Sequence, residues 1–128
     1  VSIWDAVVGQ PRAVERLTRA AAQPVHAYLF VGPSGSTKRQ AARAFAALLI
    51  GGVDDPDARD ARLALAGIHP DVREVERAGP WISAEQAREI VRVSSLAPIE
   101  SDRKVLILAE FHLLRPEGAA ILLKTIEE

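Results

Sequence analysis

The chain has 128 residues, 48% of them hydrophobic and 26% charged, which is the balance of one soluble globular domain and excludes a wholly disordered chain. Its 16 basic and 17 acidic residues leave a formal charge of -1, so the overall charge gives no footprint for nucleic acid or an anionic membrane and leaves only a local basic patch open. The absence of cysteine excludes disulfides and thiolate metal sites.

No stretch approaches the length of a transmembrane helix, and "VSIWDAVVGQ" lacks the basic region and apolar block of a secretory leader, so a cytoplasmic location is expected. Pro11 opens a helical pattern in which Val14, Leu17 and Ala21 share a face, and Pro24 closes it. "AYLFV", residues 27–31, is apolar on both faces and predicts a buried parallel strand ending at Gly32-Pro33. A helix follows in which Ala41, Phe45, Leu48 and Leu49 recur at helical spacing until Gly51-Gly52 ends it.

The turn-rich segment after it predicts a short helix between Asp57 and Ala66, and "DVREVE" a second strand before Gly79-Pro80. Ser83 stands three residues before Gln86, the spacing of a capping box, and the helix it opens carries Ala87, Ile90 and Val91 on one face. Val105 to Leu108 is the most apolar run in the chain and predicts a third buried strand. Pro116 begins a last helix with a stripe of Ala119, Leu122, Leu123 and Ile126. Strands alternating with helices make an α/β layered fold around a parallel sheet.

Chemistry concentrates in "GPSGSTKR", Gly32, Pro33, Ser34, Gly35, Ser36, Thr37, Lys38 and Arg39. Between a strand and a helix, backbone N–H groups of such a turn converge on one concavity, and Lys38 adds charge to it. A phosphate-binding P-loop requires glycine at position 37 and Ser or Thr at 39, where the hydroxyl would hold Mg²⁺. Thr37 and Arg39 break both requirements around an intact Lys38. Phosphate affinity can survive these changes; the metal geometry cannot. A plain strand-to-helix turn explains the same residues without any ligand. In catalytic P-loop proteins a later apolar strand ends in an acidic Mg²⁺ ligand followed by Glu, and here Ala109 takes the ligand's place while Glu110 remains.

Six segments now stand in a familiar order: "VVGQPRAVERL", "HAYLFVGPSGSTKRQAARAFA", "GIHPDVREVE", "ISAEQAREIV", "KVLILAEFHLL" and "GAAILLKTIEE". Over nearly the whole chain they resemble the N-terminal AAA+ domain of bacterial clamp loader subunits, and most of all the delta-prime subunit family of DNA polymerase III. That resemblance implies a P-loop NTPase type of parallel sheet flanked by helices, and membership of a five-subunit, ATP-driven ring that opens the sliding clamp and places it on primed DNA. The implied partners are the delta and gamma or tau subunits, with the clamp and primer-template DNA reached through the assembly. Delta-prime subunits commonly do not hydrolyse ATP and carry degenerate nucleotide motifs, which matches Thr37, Arg39 and Ala109 and implies no ATPase activity of its own within the polymerase holoenzyme. Two rival readings stay open, an active gamma or tau type ATPase using Lys38 and Glu110, and an AAA+ adaptor outside replication.

The resemblance also implies a segment near the adenine at Val8, Gly9 and Gln10, which entry into the first helix explains equally well. Many relatives have a four-cysteine zinc module after the P-loop helix; the matching stretch here has no cysteine, so zinc is not carried over, and packing of Leu63 and Leu65 is expected to hold that excursion instead. His26, His69 and His112 are scattered without ligand spacing, so no metal is expected on them. ATP or phosphate remains the one ligand in view, held weakly if at all. Trp4 and Trp81 could anchor a partner but are expected in local packing, and Arg88 and Arg92, which share a helix face at i, i+4, could meet DNA phosphate but are expected on a solvated surface. Residues 1–128 are expected to be the N-terminal part of a longer AAA+ domain, without lid and collar, because the family's next strand inserts between "AYLFV" and "KVLIL".

Overall fold

The computed structural model describes residues 2–24, 28, 30, 37–75, 83–101 and 103–108. The elements in chain order are helices α1 (Pro11–Ala20), α2 (Lys38–Gly51) and α3 (Arg59–Leu65), strand β1 (Val72–Val75), helix α4 (Ala84–Ser94) and strand β2 (Val105–Leu108). The strands pair in parallel, Val72 opposite Val105 and Val75 opposite Leu108. Parallel strands need a crossover, and α4 supplies it.

Alternation along β2 divides the core between two layers. Val105 and Ile107 pack with Val72 against the alanines and Phe45 of α2, while Leu106 and Leu108 pack with Val75 against Ala87 and Ile90 of α4. Side chains of a strand point to opposite faces by turns, so a sheet apolar on both faces must be covered twice. The result is a small α/β layered fold with a short parallel sheet between helices. The last helix expected, from Pro116, lies outside the described residues, as do Trp81, His26 and His112.

Local signals set most boundaries. Pro11 is at the start of α1, whose half-buried Val14 and Leu17 rest on the core, although the helix ends at Ala20, ahead of Pro24. Gly52 ends α2 in the left-handed region at φ 78, its N–H donating to the Leu48 carbonyl at 2.8 Å. The Ser83 hydroxyl accepts from the Gln86 N–H at 3.2 Å and starts α4, whose buried side is Ala87, Ile90 and Val93, with Val91 half-buried beside them.

Two expectations need correction. Tyr28 and Phe30, the described members of "AYLFV", carry no strand pairing, because an apolar stretch becomes a strand only with a ladder partner; residues 27, 29 and 31 lie outside the described set. Both rings nevertheless reach Phe45, with centroids at 4.9 Å and 6.3 Å. The excursion after α2 is held by Ala61 and Ala64, fully buried in the main core, with Leu65 half-buried against it as expected, whereas Leu63 is not among the residues packed there. Small, buried side chains on α2 and α3 let the two helix axes approach closely, and both leucines are half-buried.

Trp4 follows its expectation. With Ile3 and Val7 it is buried in the main core, and Asp54, just after α2, ties this segment down by accepting from the Ser2 hydroxyl at 2.7 Å and the Ile3 N–H at 2.8 Å.

Candidate nucleotide-binding site

The orientation of α2 follows from what surrounds its far end. Residues 48–54 share an open cleft of about 750 Å³ with Glu100, Ser101 and Arg103, the segment leading into β2. The C-terminus of α2 therefore lies beside the beginning of β2, and its N-terminus points toward the ends of the strands, Val75 and Leu108. That end of a parallel sheet is where α/β folds place ligands. The cleft itself is at the opposite end from Lys38.

At the N-terminus of α2, Thr37 is the cap residue with φ -86 and ψ 26, and its side chain makes no capping bond. Its Oγ1 is buried and, among the described residues, has no hydrogen-bond partner. Lys38 and Arg39 are exposed in a first turn that contains no acidic residue. N–H groups at a helix start carry partial positive charge, and the two cations beside them raise the potential further. This arrangement can attract an anion. It offers no oxygen at position 39 for a metal ion.

The remaining members of the expected site, Gly32, Pro33, Ser34, Gly35 and Ser36, lie outside the described residues, as do Ala109 and Glu110 directly after β2. Val8 and Gly9 stand in the turn into α1, Val8 exposed and Gly9 at φ 76, a backbone conformation that suits glycine. Arg92 pairs with Glu89 on the exposed face of α4, Nε to Oε2 at 3.0 Å, in keeping with a solvated surface.

A second polar cluster has no counterpart in the sequence reading. Asp71, buried at the entry to β1, accepts from the N–H groups of Ile99 (2.5 Å), Glu100 (2.9 Å) and Ser101 (2.8 Å). Burial pushes its carboxyl up, but these three backbone donors and the Ser101 hydroxyl outweigh that and bring it down to about 2. The buried His69 ring accepts the Asp71 N–H at Nδ1, 3.0 Å away, so its own proton sits on Nε2, which faces Asp60 Oδ1 at 3.1 Å. Arg59 joins Asp60 and Glu100, with Nη1 at 3.0 Å and 2.9 Å. "GIHPD" is thus a clasp between α3, the start of β1 and the loop before β2.

Ligand atoms of Asp60, His69 and Glu100 lie within 4.8 Å of one another, close enough to consider a metal ion. The donor chemistry argues otherwise. A metal-bound imidazole normally donates its other N–H to an acceptor, whereas here Nδ1 is an acceptor and Nε2 holds the proton a metal would displace. Arg59 already supplies the positive charge that the carboxylates need.

A family model described as "DNA polymerase III, delta subunit" matches residues 9–128. The chain belongs to that family. It is 36% identical over 116 residues to the DNA polymerase III subunit delta' of Pseudomonas aeruginosa, a match covering 84% of this chain and 35% of that protein. The subunit delta' of Bacillus subtilis is 30% identical over 125 residues, covering 93% of this chain and 38% of the relative. The subunit tau of the same organism is 33% identical over 132 residues, covering 98% of this chain and 23% of the relative. The chain therefore spans little more than a third of the delta' proteins and less of tau. No solved structure is significantly similar to it. The family membership accords with the resemblance read from the six segments. Among the described residues, no helix is long and apolar enough to cross a membrane.

Proposed function

We propose that the chain is the N-terminal, nucleotide-binding-like part of a delta-prime type clamp loader subunit that does not hydrolyse ATP. In this reading it joins delta and gamma or tau subunits in the cytoplasmic assembly that loads the sliding clamp onto primed DNA, and its work is subunit contact. Gly32 to Arg39 form the phosphate side of the site and Val8 and Gly9 its adenine side. Zinc has no part in it, since the cysteines that hold it in relatives are missing.

The observation that carries this reading is Arg39. It occupies the first turn of α2 where an active site needs a hydroxyl on Mg²⁺, and Ala109 removes the second oxygen ligand from the other metal-binding position. The similarity to delta' proteins supports the assignment. A second reading, an active ATPase of the tau type, is favoured by the comparable similarity to tau and by the retained Lys38 and Glu110.

Co-purification from the native cell with a tag on the full-length protein tests the assembly role. The expected companions are delta and gamma or tau subunits. A well-folded protein recovered without any of them refutes the role and favours an adaptor outside replication.

A further inference from the structure

The open cleft of about 750 Å³ beside the C-terminus of α2 has an apolar wall that the core does not account for. Leu48, Leu49 and Ile50 follow one another near the end of that helix, and at about 100° per residue three consecutive side chains span about 200° of its circumference. They cannot all point inward. All three remain half-buried, whereas Ala44, Ala46 and Ala47 before them are buried. Val53, just past the C-cap Gly52, adds a further apolar side chain to the cleft and stays 57% exposed.

Around this wall the charge is negative. Asp54, Asp60 and Glu100 line the cleft, with Arg103 as the one cation beside them among the described residues. Arg59 serves both Asp60 and Glu100, one guanidinium for two carboxylates. Asp54 accepts from neutral donors, the Ser2 hydroxyl and the Ile3 N–H, and no cation pairs with it among the described residues. The last turn of α2 carries no basic residue, so the negative end of its dipole adds to the same potential. A helix end favours a cation at this place, and the chain puts a carboxylate there.

We propose that this cleft docks a basic amphipathic segment of a partner protein, a lysine or arginine flanked by apolar side chains. Charge complementarity selects that occupant. Such a residue lays its aliphatic stem along apolar surface while its head stays in a polar setting, the combination that Leu49, Val53 and Asp54 offer side by side. An exposed apolar side chain bordered by polar groups is also the makeup of a protein interface. The same carboxylates repel nucleic-acid phosphates, and a bare metal ion would make no use of the apolar wall. The volume suits a few side chains and not a folded domain. The cleft lies at the opposite end from Lys38, so this contact is separate from the nucleotide site and holds whether or not the chain hydrolyses ATP.

The test uses the full-length protein and a fluorescently labelled peptide of alternating leucine and lysine, with binding followed by anisotropy. Val53→Ser and Asp54→Asn are each expected to raise the Kd by about threefold or more. Asparagine keeps an acceptor for the Ile3 N–H and can donate to the Ser2 hydroxyl, and the exposed Val53→Ser carries the test alone should Asp54→Asn fail to fold. Glu85→Gln, exposed on α4, is expected to leave the Kd unchanged. Peptides with serine for leucine, or glutamate for lysine, should bind about tenfold more weakly or worse.

The proposal is overturned if the leucine–lysine peptide does not bind the wild type, or if the folded Val53 and Asp54 variants keep the wild-type Kd. Equal binding of the serine peptide would overturn it by reducing the cleft to a patch of negative charge. Displacement of the peptide by spermidine at equal charge would do the same by assigning the cleft to a small polyamine. The cleft has no part in the clamp loader reading, so co-purification and peptide binding succeed or fail independently.

Discussion

Replacing Gly67 by alanine probes the joint between α2 and β1 on which the candidate site rests, and Gly52 supplies a matched control. Both glycines have left-handed backbones, φ 77 and φ 78. A Cβ at Gly52 meets nothing within 4 Å, whereas at Gly67 it would lie 2.8 Å from Glu74 Oε2 and 3.3 Å from Arg43 Nη2. Left-handed geometry alone costs an L-residue about 1 to 2 kcal/mol, which both substitutions incur. At Gly67 the carboxylate must also move, breaking the bond that Arg43 Nε makes to Glu74 Oε2 at 2.9 Å. Because Arg43 is 34% exposed and partly screened by water, we assign that loss about 1 kcal/mol, below the range for a fully buried charged bond. Urea unfolding should therefore show Gly67→Ala less stable than Gly52→Ala by about 1 kcal/mol at unchanged m-value. In a Glu74→Ala background the difference should vanish. Equal losses for the two glycine variants in the wild-type background would refute the reasoning.

The clasp at Asp71 makes a prediction about acid. Its carboxyl is lower in the folded than in the unfolded chain, so the stability it contributes is complete above about pH 4 and is lost as pH falls toward 2; thermal melts across that window should fall more steeply for the wild type than for Asp71→Asn, and parallel curves would contradict this. Ser83→Ala removes the bond to the Gln86 N–H and should cost about 1 kcal/mol, with Asp at the same position restoring most of it in the same melts. Pyrophosphate should raise the melting temperature through the N-terminus of α2, and Lys38→Ala should reduce that rise; a wild type unmoved by pyrophosphate would count against anion binding there.

What was legible in the sequence was local. Ser83 with Gln86, the Gly51-Gly52 stop and the run Val105 to Leu108 act within a few residues of themselves, and each produced the element expected, although the strand Val105–Leu108 is half-buried and not buried. The role of "GIHPD" was hidden because Asp71 finds its donors 28 to 30 residues away and His69 meets Asp60 across the turn out of α3. Counting histidines by spacing could not anticipate a ring held by folding between two acidic neighbourhoods. The choice of Ala61 and Ala64 over the leucines was hidden for a related reason. Which face of a short helix is buried depends on the core it meets, and that core is rich in the alanines of α2. At the candidate site the sequence speaks clearly through Thr37 and Arg39, because a side chain in place of glycine and a missing hydroxyl are facts of composition and need no geometry.

Steady-state ATP hydrolysis by the purified full-length protein, alone and with Mg²⁺, tests the central claim most directly. With Arg39 and Ala109 in place of both oxygen ligands, turnover should not exceed that of Lys38→Ala under the same conditions. Mg²⁺-dependent turnover that disappears in Lys38→Ala would contradict the account and make the chain an active ATPase.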